Sequence, residues 1–278
     1  MRQAMLRGPF ALVAGLTAAL TVWIAAAPAV QAPTPADTGS AEVSHLLASI
    51  RAEHSVPALV ASVGHADGTI VTGASGVRVL GRPDLVVAAD SFHIGSVTKP
   101  MTATLIATLV DEGKLAWSTT VGEVFPNCTP PVRAEYRDAT LADLLAHEGG
   151  LPAFDDDQEL EAPPRFAGSP TAQRLAFACL ALSRPPAAPP KKAFLYSNAG
   201  FSIAGAIAEK AAGSSWEQLM QARIFAPLGL ATAGFGWPAK GGAAQPWGQW
   251  KPLLRVVPQD PDGKYQLPVM LAPAGDVH

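Results

Sequence analysis

The chain has 278 residues, 49% of them hydrophobic and only 15% charged. That supplies enough apolar surface for a sizeable core, which excludes a disordered tail, a collagen-like fibre and a coiled coil. A formal charge of −3 gives no basic field for phosphate neutralisation, so nucleic acid is not expected as a partner; two cysteines exclude a disulfide miniprotein and a four-cysteine zinc site.

Arg2 and Arg7 precede a stretch from Gly8 to Ala36 without one charged residue, and its densest apolar part runs from Phe10 to Ala27. A positive n-region, an apolar h-region and the small residues Ala27-Pro28-Ala29 form the pattern of a secretory signal, expected over residues 1–29, with a linker over 30–42. Export to the periplasm or the medium follows. The alternative is an uncleaved membrane anchor, for which the apolar run is barely long enough. Contact with a membrane is expected only through this segment.

Val43, Leu46, Leu47 and Ile50 recur at helical spacing and predict an amphipathic helix over 43–54. Residues 57–63 and 69–77 are β-branched and alanine-rich runs on either side of His65-Ala66-Asp67-Gly68, which predicts an antiparallel hairpin. Met101, Leu105 and Leu109 then repeat every four residues, with Ile106 and Val110 beside them, and Gly113 supplies the stop. Pro100 lacks a backbone donor and belongs in the first turn, so this helix begins no earlier than Ser96 or Val97. Lys99 precedes that proline and resists helical angles.

Thr140 with Asp143 forms a capping box for a helix carrying Leu141, Leu144 and Leu145, ended by Gly149-Gly150. Asp155-Asp156-Asp157 through Ala167 and Arg184 to Lys192 read as an acidic and a proline-rich loop. Phe201 to Ala212 predicts a packed helix stopped by Gly213, and Ser214 with Glu217 caps the next, through Arg223. From Gly234 onward Gly, Pro and Trp dominate and no regular element is expected; Trp237, Trp247 and Trp250 either wall a pocket or pin the loop. Cys128 and Cys179 either form a bridge worth about 4 kcal/mol on the chain-entropy model or pack as small hydrophobes.

Two short motifs carry chemistry. In Ser96-Val97-Thr98-Lys99, positions i and i+3 of a helix share a face, so the Ser96 hydroxyl and the Lys99 ammonium come within reach of each other. A serine is a poor nucleophile until a base takes its proton, and a partly desolvated lysine is one such base. The bland reading is a capping serine near a surface lysine, since about 0.4 such matches arise by chance in this composition. Tyr196-Ser197-Asn198 changes the weighing, because about 0.02 chance matches to Tyr-x-Asn are expected. A tyrosine beside a lysine cation is driven toward phenolate, which can take the serine proton and return it to a leaving group. Asn198 offers a substrate amide both a donor and an acceptor. The bland reading there is that Tyr196 caps a core and Asn198 begins a helix.

These residues resemble the family of class C β-lactamases, D-alanyl-D-alanine carboxypeptidases and serine esterases. Val56-Pro57-Ala58-Leu59, Phe92 to Lys99, Leu144 to Pro152, Tyr196 to Phe201 and Ile224 to Leu230 follow its pattern in order, over roughly residues 43–278. The resemblance implies a β-lactamase/penicillin-binding-protein-like α/β (α+β) fold, with an antiparallel sheet flanked by helices, a mainly helical domain, and the site in the cleft between them. It implies Ser96 as the acylated nucleophile, Lys99 and Tyr196 sharing the base role, Asn198 orienting the substrate and the Ser96 N–H as half of an oxyanion hole, with no metal and no organic cofactor. The expected partner is a small amide or ester: a β-lactam, a D-Ala-D-Ala peptide of peptidoglycan or a simple ester.

The family's third motif, a Lys- or His-x-Gly triplet on an edge strand, has no convincing match after Tyr196. The expectation is a chain lacking the last strands of its sheet, with weak or no activity. A non-catalytic protein that binds cell-wall peptide or another partner through the same cleft is the competing reading. His147 is matched by the family and is expected to be structural; His45, His54, His65 and His93 lack metal-ligand spacing.

Overall fold

A computed structural model of the chain describes residues 40–68, 70–155, 164–250, 256–263 and 267–278. The signal over 1–29, all of the linker up to residue 39, Thr69, Asp156 and Asp157 lie outside the described residues.

Helix α1 spans Ala41–His54, capped by the Ser40 hydroxyl, which accepts the Val43 N–H. It starts two residues inside the expected linker. Of its apolar positions only Leu47 is buried, while Leu46 and Ile50 face outward, so the expected stripe is narrower than its spacing suggests. Strands β1 (Ala58–Gly64) and β2 (Ile70–Gly76) form the expected antiparallel hairpin, with Ala61 opposite Gly73. Gly73 lets α1 lie close on β2, since a Cβ there would stand 2.6 Å from Val43 Cγ1. Among the described residues these two strands pair only with each other.

A 3-10 turn, Gly95–Val97, runs directly into α2, Thr98–Asp111. Pro100 is the third residue of α2, where the N–H it lacks would have had no intrahelical partner, and Lys99 adopts the helix despite preceding it. Helices α3 (Val121–Val124) and α4 (Leu141–Leu145) carry capping boxes from Thr120 with Glu123 and from Thr140 with Asp143. The sequence reading names no element between its two loops, yet α5 fills Pro170–Ser183, started by Ser169 with Pro170 in the first turn. Cys179 on α5 is bridged to Cys128.

Helix α6 spans Asn198–Ala212 and is buried without interruption from Ala199 to Glu209, as a helix apolar all round must be. Around it pack Leu105, Ile106 and Leu109 of α2, Leu141 and Leu144 of α4, and Phe177 and Leu182 of α5. Gly213, at φ 68°, ends it. The next helix, α7 (Trp216–Met220), is capped by Ser215 with Gln218, not by Ser214 with Glu217. The left-handed exit at Gly213 uses up residue 214, and the Glu217 carboxylate is engaged by Arg174 Nη2 at 2.9 Å. A π turn over Gln221–Phe225 continues it.

Beyond Gly234 the chain is more regular than expected. Strand β3 (Gly248–Trp250) pairs antiparallel with β4 (Val257–Gln259), and α8 (Ala272–Gly275) closes the described residues. The segment from Val269 to Val277 is strapped to the helices by buried polar groups. Arg174 Nη1 donates to the Val269 carbonyl at 2.8 Å, the Ser202 hydroxyl to that of Met270, and the Thr102 hydroxyl to that of Pro273 at 2.8 Å. Val277 N–H donates to Thr98 Oγ1 at 3.1 Å, and Ile94 N–H to the Val277 carbonyl at 3.0 Å.

Candidate active site

Ser96 sits in the exposed 3-10 turn, while Lys99, one turn along, is only 5% exposed. Tyr196 arrives from the loop before α6 and Asn198 is the first residue of that helix. The Ser96 and Tyr196 hydroxyl oxygens lie 2.6 Å apart, and Lys99 Nζ stands 2.5 Å from Tyr196 Oη and 3.1 Å from Ser96 Oγ. Lys99 Nζ also donates to Asn198 Oδ1 at 2.7 Å and to the Ala274 carbonyl at 2.9 Å. All four expected side chains meet at one point. Asn198 therefore begins a helix and faces the lysine at once.

The partners of Lys99 constrain where a proton can go. Ala274 O is an acceptor only, and Asn198 Oδ1 must accept because the Nδ2 of the same amide donates to the Phe154 carbonyl at 2.8 Å. Two N–H groups are thereby committed. In an ammonium the third hydrogen points at the two hydroxyls; in a neutral amine the lone pair does. Burial pushes the Lys99 amine below its usual value, against the opposing pull of Tyr196 and Asp155. The arrangement thus aims a weakened ammonium, or the amine it leaves, at a hydroxyl pair open to solvent on the Ser96 side.

A short shelf, Pro152 to Phe154, fixes the far side. Its three successive carbonyls accept from the Ser197 hydroxyl at 2.7 Å, the Asn198 N–H at 2.8 Å and Asn198 Nδ2. Ser197 Oγ in turn accepts the Gly200 N–H at 3.2 Å, which caps α6. The sequence reading missed Ala274 and the shelf carbonyls. Backbone carbonyls carry no letter, and only the long reach from residue 99 to residue 274 reveals the first of them.

Trp237 and Trp247 wall a cavity of about 480 Å³ with Phe92 and His93, but Ser96, Lys99 and Tyr196 are not among its lining residues. The side chain of Trp250 lies outside the described ones. The His93 ring packs at 6.1 Å from that of Trp237 and its Nε2 lies 3.7 Å from Asp276 Oδ1. Lys240-Gly241-Gly242 has the letters of a Lys-x-Gly triplet, but it forms a 3-10 turn with Gly241 at φ 69°, not an edge strand. Among the described residues no group of three His, Cys, Asp or Glu side chains could hold a metal ion, and no helix is long and apolar enough to cross a membrane.

A strand hairpin covered by a helix, a helical core, and a serine, a lysine one turn later and a tyrosine from a distant loop in mutual contact together define a recognisable class. Residues 43–278 match the Beta-lactamase family, and the chain belongs to it. It is 34% identical over 181 residues to penicillin-binding protein 4 of Amycolatopsis lactamdurans, a stretch covering 65% of this chain and 45% of that protein. Among solved structures, that of SurE superposes with a TM-score of 0.64 at 28% identity, covering 85% of this chain and 50% of the other. The octameric penicillin-binding protein homologue of Pyrococcus abyssi superposes with a TM-score of 0.66 at 23% identity, over 85% and 52% of the two chains, a likeness of fold. The chain spans about half the length of these relatives or less.

Proposed function

We propose that the chain is an exported serine hydrolase that forms an acyl-enzyme on Ser96 with an amide or ester. The observation that carries this reading is the unbroken contact from Ser96 Oγ through Tyr196 Oη to Lys99 Nζ, at 2.6 and 2.5 Å. As Ser96 Oγ attacks the substrate carbonyl carbon, its proton passes to Tyr196 Oη while that hydroxyl gives its own to the Lys99 amine. The new C–O bond leaves negative charge on the carbonyl oxygen, which the Ser96 N–H helps to hold. Collapse breaks the bond to the leaving nitrogen or oxygen, which takes a proton from the Tyr196 hydroxyl as the Lys99 ammonium returns its own to Tyr196. Water then repeats the sequence on the ester and frees Ser96. Asn198, held by Lys99 and the Phe154 carbonyl, orients the substrate amide.

The substrate class rests on likeness. One relative is a penicillin-binding protein, and a solved structure of SurE, 28% identical to this chain, carries D-Leu. A β-lactam, a D-amino acid amide or a peptidoglycan peptide fits these neighbours, and a simple ester fits the same chemistry. Export is supported by the charge and hydropathy pattern of residues 1–29 and by the Cys128–Cys179 bridge, which suits an oxidising compartment.

The test is turnover of nitrocefin, p-nitrophenyl esters and D-Ala-D-Ala peptides by the wild type and by Ser96→Ala. Turnover of one class that the variant loses supports the reading. A variant that keeps every measurable function supports a non-catalytic binder instead.

A further inference from the structure

His147 stands in the left-handed region at φ 60°, a conformation that non-glycine residues adopt at some cost. From there it grips both neighbours of Tyr196. Its carbonyl accepts the Leu195 N–H at 2.8 Å, and its Nδ1 accepts the Ser197 N–H at 3.1 Å. The ring packs on the Tyr196 ring at a centroid distance of 4.6 Å, with Phe201 at 5.2 Å and Phe194 at 5.5 Å. One residue thus fixes the backbone before and after the phenol and one face of its ring.

We infer that His147 is the positioning residue for the Tyr196 hydroxyl, and that a proton on His147 Nδ1 releases it. This deepens the hydrolase reading and rests on it. A backbone N–H donates into Nδ1, so the neutral ring must carry its hydrogen on Nε2. Protonation turns Nδ1 into a donor facing another donor, the Ser197 N–H is orphaned, and a second cation enters beside Lys99. The charges around the ring do not offset that loss. Lys99 on α2 disfavours the imidazolium, Tyr196 is the titratable group among the described ring contacts, and the nearby Asp143 and Lys191 pair with each other at 3.6 Å. Burial first, then Lys99, holds the His147 ring below its usual value, so the clamp is closed at neutral pH and opens in acid.

Asparagine separates the clamp from simple packing. Its Oδ1 can take the place of Nδ1 as acceptor, it accepts left-handed angles, and it does not titrate. His147→Asn is expected to keep acylation of Ser96 at pH 8 within about threefold, and His147→Leu to slow it at least about tenfold, the rate equivalent of one hydrogen bond. Below pH 6.5 the wild type is expected to lose rate with one more proton dependence than His147→Asn. Equal acid profiles for the two proteins would overturn the proposal. Should His147→Leu fail to fold, long-range 15N–1H spectra of the wild type decide the matter. The expected result is a neutral Nε2–H tautomer whose titration moves the Ser197 amide resonance; an Nδ1–H tautomer would overturn the clamp. A wild type that is never acylated sinks the hydrolase reading, while the tautomer still reports on the clamp.

Discussion

Lys99 Nζ donates to the carbonyl oxygen of Ala274, 175 positions along the chain, at 2.9 Å. That carbonyl is aimed by the strap over Val269 to Val277, and the strap fits because Gly205 of α6 has no side chain. A Cβ at Gly205 would lie 2.5 Å from Pro273 Cγ and 2.9 Å from its Cβ, both in a rigid ring. In an ordinary helix interior Gly→Ala stabilises by about 1 kcal/mol. Here Gly205→Ala is expected to destabilise by about 1–3 kcal/mol through overpacking and to slow acylation by displacing Ala274 from Lys99. Denaturant unfolding of the variant checks the sign.

Lysine ionisation sets the second expectation. Because burial lowers the Lys99 pKa below 10.5, acylation should rise with pH along a limb centred below that value, as the amine lone pair becomes available. The same shift makes the unfolded chain the better proton binder, so this group's contribution to stability is lost as pH falls through its native pKa. Lys99→Arg, which cannot deprotonate, and Lys99→Met should each lose about 10²–10⁴-fold in acylation rate. Stopped-flow acylation across the pH range measures both effects.

A buried ion cluster ties the strap to the core. Arg174 is fully buried; it donates to Glu209 Oε1 through Nε at 3.1 Å and Nη2 at 2.8 Å, and to both carboxylate oxygens of Glu217. The same Glu209 oxygen accepts from the Thr171 hydroxyl and the Trp216 N–H. Arg174→Met would leave the Glu209 charge buried and unpaired, at a cost of about 3–5 kcal/mol. Adding Glu209→Gln should recover part of that loss. A double-mutant cycle by chemical denaturation reads the coupling.

Tyr136 presents the opposite case. It is fully buried, its hydroxyl has no hydrogen-bond partner among the described residues, and burial pushes its pKa up to about 12. Tyr136→Phe removes the unsatisfied group and should stabilise the protein by about 1 kcal/mol. In the wild type the unfolded chain ionises first, near 10, so stability should fall as pH rises from there through about 12, and the variant should lack this part of the slope. Thermal melts of both proteins between pH 8 and 11 provide the comparison.

The sequence made the site legible in proportion to how local its chemistry is. Ser96 and Lys99 share a face because helical geometry requires it, and the hairpin of β1 and β2 follows from alternation around a turn. The meeting of Tyr196 with them rests on a rare spacing and a family likeness, since no local rule spans a hundred positions. Helix α5 went unread because its Ala-rich run between two loops was assigned no period, although Ser169-Pro170 marks its start. The Ser214 cap fell one residue short because Glu217 answers to a buried arginine that no local pattern reveals. His147 looked structural from its place at a helix end; its contacts with Leu195 and Ser197 exist only once the chain has folded back.

In the proposed reaction the Ser96 oxygen takes an acyl group because Tyr196 and Lys99 take its proton. Intact-protein mass spectrometry after exposure to a fluorophosphonate or a fluorescent penicillin, followed by peptide mapping, tests it directly. One adduct is expected on the peptide containing Ser96, absent in Ser96→Ala and slowed in Tyr196→Phe. An adduct on another residue, or labelling of Ser96 that proceeds unchanged in Lys99→Met, would contradict it.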